Sequence, residues 1–384
     1  MSLFLLTFFL LYAGMHLYAF LRAKTAIAFG TGAGIVVGLF LFLMITAPVL
    51  IRFLEKAGYE AAARIAAFAG YSWLGILFLF SSYAAAFDIY RLIVWGAGAL
   101  AGKGVSAFLP SQRLIFFIPL FLSLLTFAYG FVEALNIRTE HIVIETPKAP
   151  TAAGRIRLVQ ISDVHLGLII REYRLKRILE KVKEAGADIL VSTGDLVDGQ
   201  VCRFNGLSDL LRQINPRFGK FAITGNHEFY AGFDNSRCFT EDSGFTLLRG
   251  EAVPVAGFIT IAGVDDPAAK FFGLSKNISE HELLSEVSQE NFVVLLKHRP
   301  LADARAAGLY DLQISGHVHK GQIFPFSILT WLYYPHQSGF VRINDRSSLY
   351  ISRGAGTWGP PIRFLSPPEI AIIDLVPPKS STLR

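Results

Sequence analysis

Residues 2–21 contain no Asp, Glu, Lys or Arg, and three comparable apolar blocks follow within the first 136 positions. A helix that is apolar all round has no polar face to leave in water. In hydrocarbon the backbone must satisfy its own hydrogen bonds, so a single apolar segment is confined to an α-helix. Roughly 20 residues cross the apolar core of a bilayer. The reading is therefore a helical membrane domain over 1–136, a linker over 137–154 and a second domain over 155–384. Mean hydropathy of +0.45 for the whole chain agrees, being too high for one soluble domain.

The expected spans are 2–21, 26–51, 65–87 and 114–135. A cleaved secretory signal fits the first poorly, because no Lys or Arg precedes it and no clear small-residue cleavage site follows. Gly30, Gly32, Gly34 and Gly38 stand at spacings that permit close helix packing, and Pro48 is expected to end its helix. Residues 92–102 are too short to span and read as an interfacial or re-entrant piece. His16 and Asp88 are ionisable groups in or beside spans, where charge is costly; Arg91 is an available partner for Asp88. Arg22, Lys24, Arg91, Lys103 and Arg113 flank one side, and Arg52, Lys56, Arg64, Arg138 and Lys148 the other, so basic residues set no orientation.

From Arg155 onward the chain alternates strand-like and helical stretches. RIRLVQIS, ADILVST, KFAIT, FITIAGV, NFVVLLK, DLQIS, SLYIS and EIAIID read as strands, with helices over 173–184, 208–214 and 279–289. This is the pattern of an α/β layered domain. A net charge of +6 and a pI near 9.2 would suit nucleic acid, yet no nucleic-acid-binding pattern is present. Basic residues suit lipid headgroups or phosphates equally, so nucleic acid is not an expected partner. Cys202 and Cys238 form no CxxC and no disulfide framework.

Five motifs follow the strand-like runs: ISDVHLG (161–167), GDLVD (194–198), GNHE (225–228), KHRP (297–300) and GHVH (316–319). A lone Asp or His at a strand end is ordinarily a turn or cap residue. Five in order, where α/β sheets present ligand-binding loops, point to a metal site. Asp, Asn and neutral His suit Mn, Zn or Fe better than Mg or Ca. Two cations about 4 Å apart need a shared oxygen ligand, and Asp195 is the natural bridge. Asp163, His165 and His319 are assigned to the first metal, Asn226, His298 and His317 to the second. The expected chemistry is in-line attack on phosphorus by a metal-bridging hydroxide. His227, left without a metal, is placed to donate a proton or, with Asn226, to bind the phosphoryl group. Arg299, Arg353 and Lys320 are candidate phosphate contacts. Asp198 reads as a support for the ligands or a turn residue, Glu228 as an orienting group or a helix cap.

The ordered series DxH, GDxxD, GNHE, HxP and GHxH resembles the calcineurin-like metallophosphoesterase superfamily, specifically a membrane-associated branch similar to the YkuE-type phosphoesterases. SRGAGTWGPPIRFLSPPEI, over 352–370, is similar to the ending of that branch. The resemblance covers 155–377 and implies a four-layer α/β/β/α sandwich, here preceded by transmembrane helices, with the same ligand roles. Lys320 departs from relatives that often carry Gly there. IFPFSILTWLYY, over 323–334, reads either as core or as an apolar wall facing the bilayer, with Trp331, Tyr333 and Tyr334 as interfacial anchors. The expected function is a multi-pass phosphoesterase of the bacterial inner membrane that cleaves a phosphate ester or pyrophosphate bond in a lipid-linked substrate. Membrane lipids are its expected partners. The alternatives are a tethered phosphodiesterase for soluble substrates and a sensor or transporter that binds without turnover. Resemblance to exported relatives implies a catalytic domain outside the cytoplasm, and resemblance to lipid-A-pathway hydrolases one on the cytoplasmic side; the first is the expectation taken.

Overall fold

Each apolar block of the first third forms a helix in the computed structural model, which describes residues 2–151, 154–199 and 206–378. Ala152, Ala153 and Cys202 lie outside the described residues. The chain divides into two units, Met1–Val132 with Gly359–Ile362, and Glu133–Trp358 with Arg363–Arg384.

The helical unit comprises α1 (Ser2–Ile27), α2 (Thr31–Lys56), α3 (Glu60–Ala101) and α4 (Gln112–Glu133). All four are long and apolar enough to cross a membrane. Four details differ from expectation. Residues 92–101 are not a separate interfacial piece but the last turns of α3, which stops only at Gly102, in the left-handed region at φ 61°. With 42 residues, α3 is about 63 Å long, more than a bilayer core requires. Pro48 lies inside α2 instead of ending it. The Met44 carbonyl, four residues back, has no proline N–H to accept, and the Tyr12 hydroxyl donates to it at 3.2 Å. Gly30, Gly32 and Gly38 face open space, whereas a Cβ on Gly70 would lie 3.0 Å from Ala47 Cβ, so α2 and α3 are closely packed there.

The two ionisable groups flagged in this unit are both satisfied. His16 Nδ1 donates to the Tyr12 carbonyl at 2.7 Å, and its Nε2 accepts from Trp73 Nε1 at 2.9 Å. Asp88 pairs with Arg22 and, at 3.5 Å, with Arg91, and accepts from the Tyr18 hydroxyl at 2.6 Å.

Among the described residues the second unit contains fourteen strands, in order β1 (Arg138–Glu145), β2 (Ile156–Ile161), β3 (Leu166–Gly167), β4 (Ile189–Ser192), β5 (Val197–Asp198), β6 (Lys220–Ala222) and β7 (Thr246–Leu247). Then come β8 (Glu251–Val255), β9 (Ile259–Gly263), β10 (Phe292–Leu296), β11 (Leu312–Ser315), β12 (Gly339–Arg342), β13 (Ser348–Ile351) and β14 (Glu369–Val376). The helices are α5 (Glu172–Ala185), α6 (Leu207–Arg212), α7 (Asn226–Ala231), α8 (Phe233–Asp242), α9 (Ala268–Phe271), α10 (Glu280–Ser285) and α11 (Phe326–Tyr333).

Two six-stranded mixed sheets result, ordered β1-β14-β2-β4-β6-β7 and β12-β13-β11-β10-β9-β8. The period-2 alternation of strand side chains builds the layers. Leu158, Val191 and Ile373 of one sheet meet Ile261, Val294 and Ile314 of the other in a shared core. Val159, Leu190 and Ile372 point outward against α5, α6 and α8, while Val293 and Leu295 meet Leu283 and Leu284 of α10. This is the expected four-layer α/β/β/α sandwich. α5 buries Leu175, Ile178, Leu179 and Val182, spaced i, i+3, i+4, i+7, so an Ile178→Ala cavity would cost about 2–5 kcal/mol.

The stretch 137–154 is not merely a linker. β1 runs parallel to β14 through eight paired positions, Arg138↔Glu369 to Glu145↔Val376, and forms an edge of the first sheet. The helix expected over 279–289 is shorter, six residues capped by the Ser279 hydroxyl and Glu282.

Candidate metal centre

Parallel β2, β4 and β6 of one sheet and β10 and β11 of the other end at Ile161, Ser192, Ala222, Leu296 and Ser315. Asp163, Asp195, Asn226, His298 and the pair His317 and His319 follow those ends within a few residues, and all are buried except His317, which is half-buried. Three groups of side chains bring ligand atoms within 4.8 Å of one another: Asp163, His165 and His319; His165, Asp195 and His227; and Asp195, His298 and His317. Asp195 belongs to two of these groups.

The individual distances place ring nitrogens against one another. His165 Nε2 lies 3.1 Å from His319 Nε2, which is 3.3 Å from Asp163 Oδ1. His298 Nε2 lies 3.1 Å from His317 Nδ1 and 3.2 Å from Asp195 Oδ2. Asn226 Oδ1 is buried and has no hydrogen-bond partner among the described residues. A buried carbonyl without a donor is costly, and a cation held beside it would remove that cost. The donor set therefore fits divalent ions.

Electrostatics keep three of the imidazoles in the metal-ligating form. Burial pushes His165 down to about 4 and His317 and His319 well below the usual histidine range, so each offers a lone pair at neutral pH. Burial likewise pushes Asp163 up to about 6. His227 behaves oppositely. Burial would lower it, but Asp195 and Asp198 outweigh this and raise it to about 9. Its Nδ1 donates to Asp198 Oδ1 at 2.7 Å, which fixes the ring and leaves Nε2 free to point elsewhere.

The loops hold these side chains through a framework that sequence reasoning saw only in part. The buried Glu228 carboxylate accepts from the backbone N–H of Asp195 at 3.0 Å, Leu196 at 2.8 Å and Gly225 at 2.7 Å, tying the GDLVD loop to the GNHE loop. Gly225 packs so closely that a Cβ would strike the Asp195 carboxylate. Gly194, at φ 91°, would place a Cβ 2.6 Å from the Gly225 nitrogen and 2.7 Å from His298 Nδ1.

Arg363 is a residue the sequence reading passed over. It is fully buried, and its Nη2 lies 2.8 Å from His319 Nδ1 and 2.6 Å from the Gly356 carbonyl. Its Nη1 donates to the carbonyls of Arg353 at 2.8 Å and His319 at 3.2 Å. An arginine inside an apolar run followed by Pro-Pro was the only available signal.

The expected phosphate contacts fare unevenly. Arg353, two residues past the end of β13, is taken up by Glu369 and Glu140, both at 2.5 Å. Arg299 gives Nε and Nη2 to buried Asp266 at 2.8 and 3.0 Å, so two of its donors are committed. Lys320 lines a separate cleft beside α11.

Residues 156–321 match the family described as calcineurin-like phosphoesterase. A metallophosphoesterase of Aquifex aeolicus is 39% identical over 258 residues, 67% of this chain and 98% of that protein. A Danio rerio transmembrane protein with metallophosphoesterase domain is 32% identical over 259 residues, 64% of this chain and 59% of that protein. The metallophosphoesterase YkuE of Bacillus subtilis is 30% identical over 262 residues, 64% of this chain and 89% of that protein. With one relative matched almost end to end and Asp and His gathered at the strand ends, the chain belongs to the calcineurin-like metallophosphoesterases.

Proposed function

We propose that this chain is a membrane-bound phosphoesterase that uses two divalent cations, Mn, Zn or Fe, to hydrolyse a phosphate ester or pyrophosphate bond in a lipid-linked substrate. One observation carries the lipid reading. Only residues 134–137 separate α4 from β1, and four residues reach about 14 Å at most, so the chain passes from a membrane-length helix into the unit holding the Asp and His cluster within a short tether. Soluble substrates would not require that proximity.

Asp163, His165 and His319 would hold one cation, Asn226, His298 and His317 the other, and Asp195 both. The pair of ions supplies an activated water and neutralises charge gathering on the phosphoryl oxygens. His227, oriented by Asp198 at 2.7 Å, would give a proton from Nε2 to the leaving oxygen. Arg299, braced by Asp266, has its remaining N–H groups for a phosphoryl oxygen. The setting proposed is the bacterial inner membrane, with the catalytic unit on the extracytoplasmic face; a reporter fused after Arg384 tests that orientation.

The test of activity uses the full chain in nanodiscs loaded with Mn or Zn. It is offered phosphatidic acid, phosphatidylglycerol, an isoprenyl diphosphate and bis-p-nitrophenyl phosphate, beside an Asp195→Asn variant. Hydrolysis of a lipid that disappears in the variant is the expected result. No hydrolysis of any compound, or full activity in Asp195→Asn, overturns the reading, and cleavage of the water-soluble ester alone overturns its lipid part.

A further inference from the structure

α11, sequence FSILTWLY, buries none of its residues. Ile328, Leu329, Trp331, Leu332 and Tyr333 are 53–70% exposed, and Phe324 and Phe326 just before them are also exposed. No charged side chain occurs from Gly321 to Pro335. The contrast with α5, which turns an apolar stripe inward and a charged face outward, is complete. A contiguous apolar surface of this kind on a water-facing domain marks a binding face. Trp331 and Tyr333 are the residue types that settle at the headgroup level of a bilayer.

The helix also adjoins the metal centre. His319 is followed at once by Lys320, held at φ 48°, and Lys320 opens a cleft of about 470 Å³ whose walls include Ile328, Trp331 and His336. The Lys320 ammonium has no acceptor among the described residues. At the other end of α11, the Tyr334 ring packs 5.6 Å from the His317 ring. An apolar face, a free cation and the Asp and His cluster thus follow one another along a single short segment.

We propose that α11 is an interfacial helix seated in the headgroup region of the bilayer, and that the cleft behind it receives the phosphate of a lipid drawn from that leaflet, with Lys320 as its first cationic contact. The occupant is lipid and not a second protein, because the same chain carries four membrane-length helices, the last of which leads into β1 through residues 134–137. This inference rests on the lipid-substrate reading for the use of the cleft, while the seating of α11 can be measured without any turnover.

The full chain, with Cys202→Ser and Cys238→Ser, is reconstituted in nanodiscs of phosphatidylethanolamine and phosphatidylglycerol and spin-labelled at Leu332→Cys, or at Lys181→Cys on α5 as control. The Leu332 label should collide with oxygen in preference to a water-soluble nickel chelate, and the Lys181 label the reverse. In Leu329→Asp/Leu332→Asp, the KM for nanodisc-borne phosphatidic acid should rise about tenfold relative to that for bis-p-nitrophenyl phosphate. A buried Leu332 label in a protein that cleaves no lipid upholds the seating and overturns only the substrate reading. Equal nickel accessibility at both labels overturns the seating, and protection of Leu332 from oxygen and nickel alike assigns α11 to a second copy and overturns it too.

Discussion

Glu228→Ala should uncouple the two loops that carry Asp195 and Asn226. The substitution leaves three backbone N–H groups, those of Asp195, Leu196 and Gly225, without the carboxylate that now accepts from them at 2.7–3.0 Å. Each buried donor left unpaired costs about 1–3 kcal/mol. Water entering the space of the lost carboxylate would recover part of the sum, so a net loss of about 3–5 kcal/mol is expected. At about 2–4 °C per kcal/mol for a domain of this size, the catalytic unit should melt about 6–20 °C earlier. Glu228→Gln is the informative companion. Oε1 accepts from Leu196 and Oε2 from Asp195 and Gly225, so either orientation of the amide sets its NH2 against a backbone donor, and the loss should be intermediate. Tryptophan fluorescence melting of the metal-stripped full chain in detergent reads the stability, and bound Mn or Zn per chain reads the geometry. Melting of Glu228→Ala within about 2 °C of the wild type would refute the argument.

Gly194→Ala forces a Cβ to 2.6 Å from the Gly225 nitrogen at a φ of 91°, adding about 1–3 kcal/mol of backbone strain to a similar overpacking cost. Metal content and hydrolysis should both fall, and unchanged values of both would show that the loops have slack. Arg363→Met leaves the carbonyls of Gly356, Arg353 and His319 without their donor; retention of cations should weaken by dialysis against chelator, with Arg363→Lys intermediate, and equal retention in all three proteins counts against a positioning role. Lys220 gives a pH test away from the metals. Burial, aided by Arg212, pushes its ammonium down to about 8, against about 10.5 unfolded. The unfolded chain therefore binds more protons between those values, and the stability contributed at this position rises with pH from about 8 to about 10.5. Urea denaturation of wild type and Lys220→Met at both ends of that window should show the difference shifting toward the wild type as pH rises; a constant difference refutes the assignment.

The sequence made the strand ends legible because the expected ligands stand within a few residues of a run of buried aliphatic residues, as Asp163 directly after RLVQIS and His317 one glycine after LQIS. It marked HIVIET as a possible strand but did not reveal the pairing of β1. HIVIET alternates well enough, but its partner β14 begins more than 220 residues later, and nothing local to a polar-flanked strand announces so distant a pairing. The same limit hid the partners of the arginines. Arg299, Arg353 and Arg363 look alike in sequence, and only the fold assigns them to Asp266, to Glu140 and Glu369, and to His319. In the helical unit the error was one of punctuation. Asp88 and Arg91 set residues 92–102 apart from the third span, yet α3 continues through both to Ala101 and stops at Gly102.

The backbone at the site carries a further property with no counterpart in composition. Asp163, His165, Asp195, His317 and His319 all lie in the left-handed region, at φ between 47° and 72°, where residues other than glycine are uncommon. Each such residue costs about 1–3 kcal/mol, so five together would unravel isolated loops. They persist because the loops are pinned to one another: Asp163 N donates to the Gly194 carbonyl at 3.1 Å, His165 N to Asp195 at 3.0 Å, and His317 N to the Asp163 carboxylate at 3.1 Å. Reversed φ at alternate positions turns the chain sharply enough that Asp163 and His165, or His317 and His319, each bring two side chains into the same small volume. In an extended strand residues two apart project along one face with Cα atoms about 7 Å from each other. Ligand convergence is thus bought with backbone strain, and the buried sheets and the Glu228 and Arg363 framework supply the stability that holds it.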